Sequence, residues 1–110
     1  MIKNINAEQA KIEFDKGTEF IDVREVMEFN EVRIPGSTLI PMSEMQNRWQ
    51  DLPKDKDVVV YCRTGSRSAS LLMQLVQMGY SNLLNLSNGI VEWHQLQYPL
   101  EFGDPESKAV

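Results

Sequence analysis

The stretch "DVVVY", residues 57–61, constrains the fold more than any other part of the chain. Three consecutive valines and a tyrosine leave no polar face, and a strand without alternation has to be covered on both sides. Such a strand belongs in the middle of a parallel sheet with helices on either face. The flanking sequence supplies both kinds of element. Asn6 followed by Gln9 starts a helix over residues 7–14 that stops at Gly17. "EFIDV", residues 19–23, reads as a strand ending on Asp22 and Arg24, "VMEFNEV" as a short helix, and "IPGS" as a turn into the extended segment "TLIP". Residues 43–49 suit another helix. Beyond "DVVVY", Ser66 or Ser68 is placed to cap a helix that runs to Met78 and stops at Gly79, apolar on most sides and deeply packed. "NLLNL", residues 82–86, supplies a further strand, and "SNG" leads into a short helix bearing Trp93 and His94. Strands alternating with helices predict an α/β domain with a largely parallel sheet.

At 110 residues the chain matches one domain with a core of its own. That domain is expected over residues 1–102, with 103–110 as a short tail, because from Phe102 onward "GDPESKAV" has little to bury. No apolar run is long enough for a membrane span, and the N-terminus lacks the apolar core of a secretory signal. With a lone cysteine, this points to the cytoplasm. A net charge of −5 argues against nucleic acid and anionic membranes as partners. The acidic residues are also unevenly placed: all 16 lie outside the window 58–91, which holds Arg63 and Arg67. The surroundings of the cysteine are therefore expected to be locally positive.

That cysteine, Cys62, follows the central strand directly and precedes a helix N-terminus, where open α/β sheets place their ligands. The amides of residues 63–68 can converge there, and the helix end adds about half a positive charge. An anion is the natural occupant, and a thiolate is one. Gly65 permits tight backbone curvature, and Thr64, Ser66 and Ser68 are small enough to leave the centre of the loop open. The competing reading makes Cys62 a small core residue, as free cysteines often are.

"YCRTGSRSAS" resembles the active-site loop of rhodanese-like sulfurtransferases, with residues 62–67 as the six-residue loop. "IDVRE", "IPGSTLIP" and "NLSNGIVEWHQLQYPLE" are similar to the family's second-strand segment, its Ile-Pro-Gly turn and its closing strand with Trp-bearing helix, over residues 3–101. The resemblance implies a rhodanese-like three-layer domain, with a central, mostly parallel sheet of about five strands flanked by helices. It also implies a two-step sulfur transfer: Cys62 takes a sulfane sulfur from a thiosulfate-like anion and, as a persulfide, passes it to a thiol, a protein or another thiophilic acceptor. Arg63 and Arg67 would orient the donor, and the backbone of Thr64, Gly65, Ser66 and Ser68 would hold the persulfide charge. The scheme needs no metal and no organic cofactor, and a monomer suffices for it. Two departures stand out: Arg33 where a histidine is frequent before Ile-Pro-Gly, and Asn88 where a glycine often precedes Gly89. They put local turn geometry and acceptor recognition in doubt more than the chemistry. Asp22 and Arg24 match the family's Asp-Val-Arg and are expected to form a structural ion pair at the strand end.

The enzymatic rival is a cysteine phosphatase or arsenate reductase. Phosphatases of that kind carry arginine six positions after the nucleophile, where this chain has Ser68, and arsenate reduction calls on further thiols. A non-catalytic or regulatory rhodanese-like binding module is the second rival, weakened by the retained Cys62. His94 has no partner for a metal site and reads as structural or surface. Trp93, Phe29, Met73 and Met78 read as core, and Glu25, Glu28 and Glu31 as a solvated helix face.

Overall fold

The computed structural model describes residues 2–105. Five strands, all parallel, form the main sheet: β1 (Lys3–Ile5), β2 (Glu19–Asp22), β4 (Thr38–Leu39), β5 (Val58–Tyr61) and β6 (Leu83–Leu86), in the order β1-β6-β5-β2-β4. β5 is the central strand. Its residues alternate between two cores: Val58 and Val60 pack with Ile21, Leu71, Leu72 and Leu75 on one face, while Val59 and Tyr61 pack with Phe20, Leu86, Ile90 and Trp93 on the other. All four are buried to the last atom, which is why the segment carries no polar residue.

Helices cover both faces. α1 (Ala7–Asp15) and α5 (Gly89–Gln95) contribute Ala7, Ala10, Ile90 and Trp93 to one core; α3 (Met45–Arg48) and α4 (Ser66–Gln77) contribute Met45, Leu71, Leu72 and Leu75 to the other. The Asn6–Gln9 capping box is present in full, with Gln9 N donating to Asn6 Oδ1 at 2.8 Å and Asn6 N to Gln9 Oε1 at 2.9 Å. α4 differs from expectation. It buries one face only and leaves Met73 62% exposed, and Met78 just past its end is 41% exposed, so these methionines are not core, whereas Trp93 is fully buried and Phe29 half-buried.

Two features lay outside the sequence reading. β1 is a three-residue edge strand too short to show a periodic pattern. A separate antiparallel pair joins β3 (Val32–Arg33) to β7 (Glu101–Phe102). Phe102 is therefore paired with Val32, and the Gly103 amide donates to the Glu31 carbonyl at 3.2 Å. Chain order is tied at least to Gly103; residues 106–110 of the expected tail lie outside the described residues. No helix among the described residues is long and apolar enough to cross a membrane.

Strand order places the functional end. The chain leaves β2 for β4 at one edge and leaves β5 for β6 toward the other. The two connections diverge between β2 and β5, which opens a crevice at the carboxyl ends of those strands. Cys62 stands at that point.

Candidate active site

Cys62 leaves β5 on the Val58/Val60 side, and the chain then curls around its sulfur. The Gly65 amide donates to Sγ at 3.1 Å, the Ser68 amide at 3.4 Å and the Ser68 hydroxyl at 3.3 Å. The first turn of α4 has Gly65 as its N-cap and no side-chain cap, so neither Ser66 nor Ser68 serves as one. The sulfur itself accepts the orphan amides that a capping side chain would otherwise satisfy. Cys62 is 1% exposed, and burial pushes its thiol up. The Ser68 hydroxyl and the amides of Ser68, Gly65 and Thr64 outweigh that and bring it below the ordinary thiol value. Arg63, Thr64 and Ser66 are the exposed residues of the loop, which meets solvent on their side.

Two glycines allow this curl. Gly65 has φ +96°, and a Cβ there would lie 2.0 Å from the Ser87 carbonyl oxygen. Gly89 has φ +63°, and a Cβ there would lie 2.2 Å from the Arg63 carbonyl oxygen. That close approach lets the first amides of α5 grip the loop from behind: Ile90 N donates to the Cys62 carbonyl at 3.0 Å and Val91 N to the Arg63 carbonyl at 3.1 Å. With the carbonyls of Cys62 and Arg63 bonded to α5, the amides that follow are free for the sulfur. Asn88 has φ −113°, which any residue adopts, so its departure from glycine strains nothing.

Beneath Ser68 runs a polar chain that sequence reasoning did not single out. The Ser68 hydroxyl lies 2.6 Å from Asn85 Oδ1, and Asn85 Nδ2 donates to Asn4 Oδ1 at 2.9 Å. Asn85 is 1% exposed in the strand β6. A buried polar residue within "NLLNL" was its signal in the sequence.

The two loop arginines part company. Arg63 is exposed, and no ion pair joins it among the described residues. Arg67 instead makes a bidentate pair with Glu28 of α2 (Val26–Glu31), Nη1 to Oε1 and Nη2 to Oε2, both at 2.9 Å. This corrects the reading of Glu25, Glu28 and Glu31 as a plain solvated face: Glu28 touches the loop helix, and Glu25 accepts from the Ser43 hydroxyl at 2.6 Å and the Ser43 amide at 3.2 Å.

The remaining candidates are structural. Asp22 and Arg24 form a buried pair, with Nη2 to Oδ2 at 2.6 Å and Nε to Oδ1 at 3.0 Å; Arg24 also reaches the Val32 carbonyl. Arg33 is buried over the Phe29 ring at 4.9 Å and ties Glu101 Oε1, the Phe29 carbonyl and the Gly103 carbonyl together at 3.1, 3.0 and 2.8 Å. Its departure from histidine thus serves the β3–β7 pair. Tyr61 fixes the Ile-Pro-Gly turn, its hydroxyl accepting from Ile34 N at 3.1 Å and meeting Ser37 Oγ at 2.9 Å. His94 is exposed on the last turn of α5.

A parallel α/β sheet whose central strand ends in a cysteine, with that sulfur ringed by amides at the topological switch point, defines a cysteine-loop domain whose hydrogen bonds favour the thiolate. Residues 6–96 match the family described as Rhodanese-like domain, and the chain belongs to that family. A sulfurtransferase of Allochromatium vinosum is 39% identical over 80 residues, 73% of this chain and 75% of that protein. The probable adenylyltransferase/sulfurtransferase MoeZ of Mycobacterium tuberculosis is 40% identical over 81 residues, 72% of this chain but 21% of that longer protein. Among solved structures, a rhodanese-related protein from Thermoplasma volcanium superimposes with a TM-score of 0.83 at 34% identity, covering 90% of this chain and 97% of that one.

Proposed function

We propose that this chain is a sulfurtransferase that moves a sulfane sulfur from thiosulfate or a related anionic donor to a thiophilic acceptor through a persulfide on Cys62. The observation that carries this reading is the ring of donors on Sγ, from Gly65 N, Ser68 N and Ser68 Oγ. In the first step the Cys62 thiolate attacks the outer sulfur of thiosulfate. A Cys62 S–S bond forms, the donor S–S bond breaks, and sulfite leaves with the electron pair. The terminal persulfide sulfur now carries the negative charge, and the loop amides stabilise it as they stabilised the thiolate. In the second step an acceptor thiolate or cyanide attacks that terminal sulfur and Cys62 is released as thiolate, so charge and electrons balance without a cofactor. Arg63, exposed beside Cys62, draws in the anionic donor, and Arg67 orients it.

The placement of Arg67 favours sulfur transfer over phosphoryl transfer, since its guanidinium is bound by Glu28 rather than laid over the sulfur. Intact-mass spectrometry after thiosulfate treatment is the test. The expected result is a gain of one sulfur atom, localised to Cys62 and returned on adding cyanide. In Cys62→Ser both the gain and thiosulfate:cyanide transfer should vanish with the melting temperature little changed. Turnover of an aryl phosphate with no sulfur gained would replace this reading by a phosphatase.

A further inference from the structure

One carboxylate stands beside the proposed anion site. Glu28 is held from both sides: Oε1 accepts the Glu25 amide at 3.0 Å as well as Arg67 Nη1, while Oε2 accepts Arg67 Nη2. The helix that carries it is moored in turn by the Glu25–Ser43 bonds. Hydrogen bonding to Arg67 pulls the Glu28 carboxyl down to about 2, so it is ionised at any pH where the loop works. Arg67 lies in the first turn of α4, one residue before the Ser68 donors to Cys62 Sγ, so the Glu28 carboxylate is a resident anion held beside the loop.

We propose, building on the sulfur-transfer reading above, that Glu28 is a positioning residue that sets donor selectivity: its standing ion pair with Arg67 must be contested by an incoming anion, so the site favours monoanionic sulfane donors over dianionic ones. An anion that docks on Arg67 exchanges with a bidentate carboxylate, the geometry that guanidinium binds best. The displaced carboxylate cannot retreat far, because the Glu25–Ser43 bonds anchor α2. Its repulsion then scales with donor charge, and it acts at short range only on a donor that Arg67 has drawn up against it.

Thiosulfate carries two negative charges, and an alkane thiosulfonate, R–SO2–S−, carries one. The chemistry is otherwise the same. The Cys62 thiolate attacks the outer sulfur, the S–S bond breaks, a sulfinate leaves with the electron pair, and the same persulfide forms. The two donors therefore differ in the quantity that Glu28 is proposed to sense.

The test measures kcat/KM for thiosulfate and for methanethiosulfonate, with cyanide as acceptor, in the wild type and in Glu28→Gln. Glutamine keeps an oxygen for the Glu25 amide and so preserves the helix cap while removing the charge. The thiosulfate-to-thiosulfonate ratio should rise about three- to tenfold. In an Arg67→Gln background the same Glu28→Gln change should leave the ratio within about twofold of unchanged, since Glu28 acts through Arg67. An unchanged ratio in the single variant overturns the proposal. So does an equal rise in both backgrounds, which would make Glu28 a diffuse repulsive charge. If Glu28→Gln melts early, the same ratio is measured on it at a temperature below its unfolding transition. Wild-type protein that gains sulfur from either donor keeps the sulfur-transfer reading whatever the ratios do; wild-type protein that gains none overturns both.

Discussion

At Cys62, burial and hydrogen bonding pull a single atom in opposite directions. Burial disfavours the thiolate, and the donors from Ser68, Gly65 and Thr64 favour it and prevail. The Ser68 hydroxyl has one proton and three takers, Sγ and the Gly65 carbonyl at 3.3 Å each and Asn85 Oδ1 at 2.6 Å. Replacing Ser68 by alanine removes a donor from the thiolate and none from the neutral thiol. The ultraviolet thiolate titration of Cys62, and with it the acid limb of the pH–rate profile, should therefore move to higher pH. An unmoved titration would show that the proton stays with Asn85 or the Gly65 carbonyl and not with the sulfur. The residues that touch or enclose the sulfur were legible in the sequence because they are contiguous, and their chemistry follows from residue type and loop position alone. Asn85 and Glu28 were not, because they reach the loop from 17 and 39 positions away in chain distance, and only strand order brings them there.

Elements, rather than side chains, hold the loop open. The first amides of α5 take the Cys62 and Arg63 carbonyls, and Gly89 permits the approach. Gly89→Ala meets both a positive φ, which costs about 1–3 kcal/mol, and the Arg63 carbonyl oxygen at 2.2 Å from the new Cβ, a clash that forces the loop or α5 to shift. The expected outcome is a lowered melting temperature together with slowed sulfur loading in the mass assay. Loading at the wild-type rate would show that the loop keeps its shape without α5. Arg33→Ala should separate the two properties. It removes the charged ties among Phe29, Glu101 and Gly103, lowering the denaturant midpoint by the equivalent of about 1–3 kcal/mol, while sulfur loading of the folded protein continues. The Asn6 cap and the strand at Val58–Tyr61 were readable because capping and two-sided burial leave local patterns. Two-residue strands such as β3 and β7 have no period to read; their pairing was set by Arg33, which the sequence showed only as a departure from histidine.

Across the whole molecule, the β2–β4 and β5–β6 connections diverge at the crevice and are clasped there by Glu28 and Arg67. That clasp joins two parts of the chain whose charge the sequence kept apart, an acidic segment and an acid-free window. It also makes stability depend on acid. The Glu28 carboxyl sits at about 2 in the fold against an ordinary 4.5, so its contribution is fully present above about 4.5 and drains away as pH falls toward 2. Glu13, held down by the Thr18 hydroxyl and Lys16, adds a contribution of the same sign, so the wild-type curve alone does not isolate the clasp. Denaturant midpoints in a series of acidic buffers should do so by difference. Glu28→Gln should be less stable than the wild type at neutral pH and should lose stability less steeply between pH 4.5 and 2, because glutamine has no proton to take up. Parallel curves would mean that Glu28 keeps its ordinary affinity for protons in the fold, and that the Arg67 pair contributes nothing to holding the two connections together.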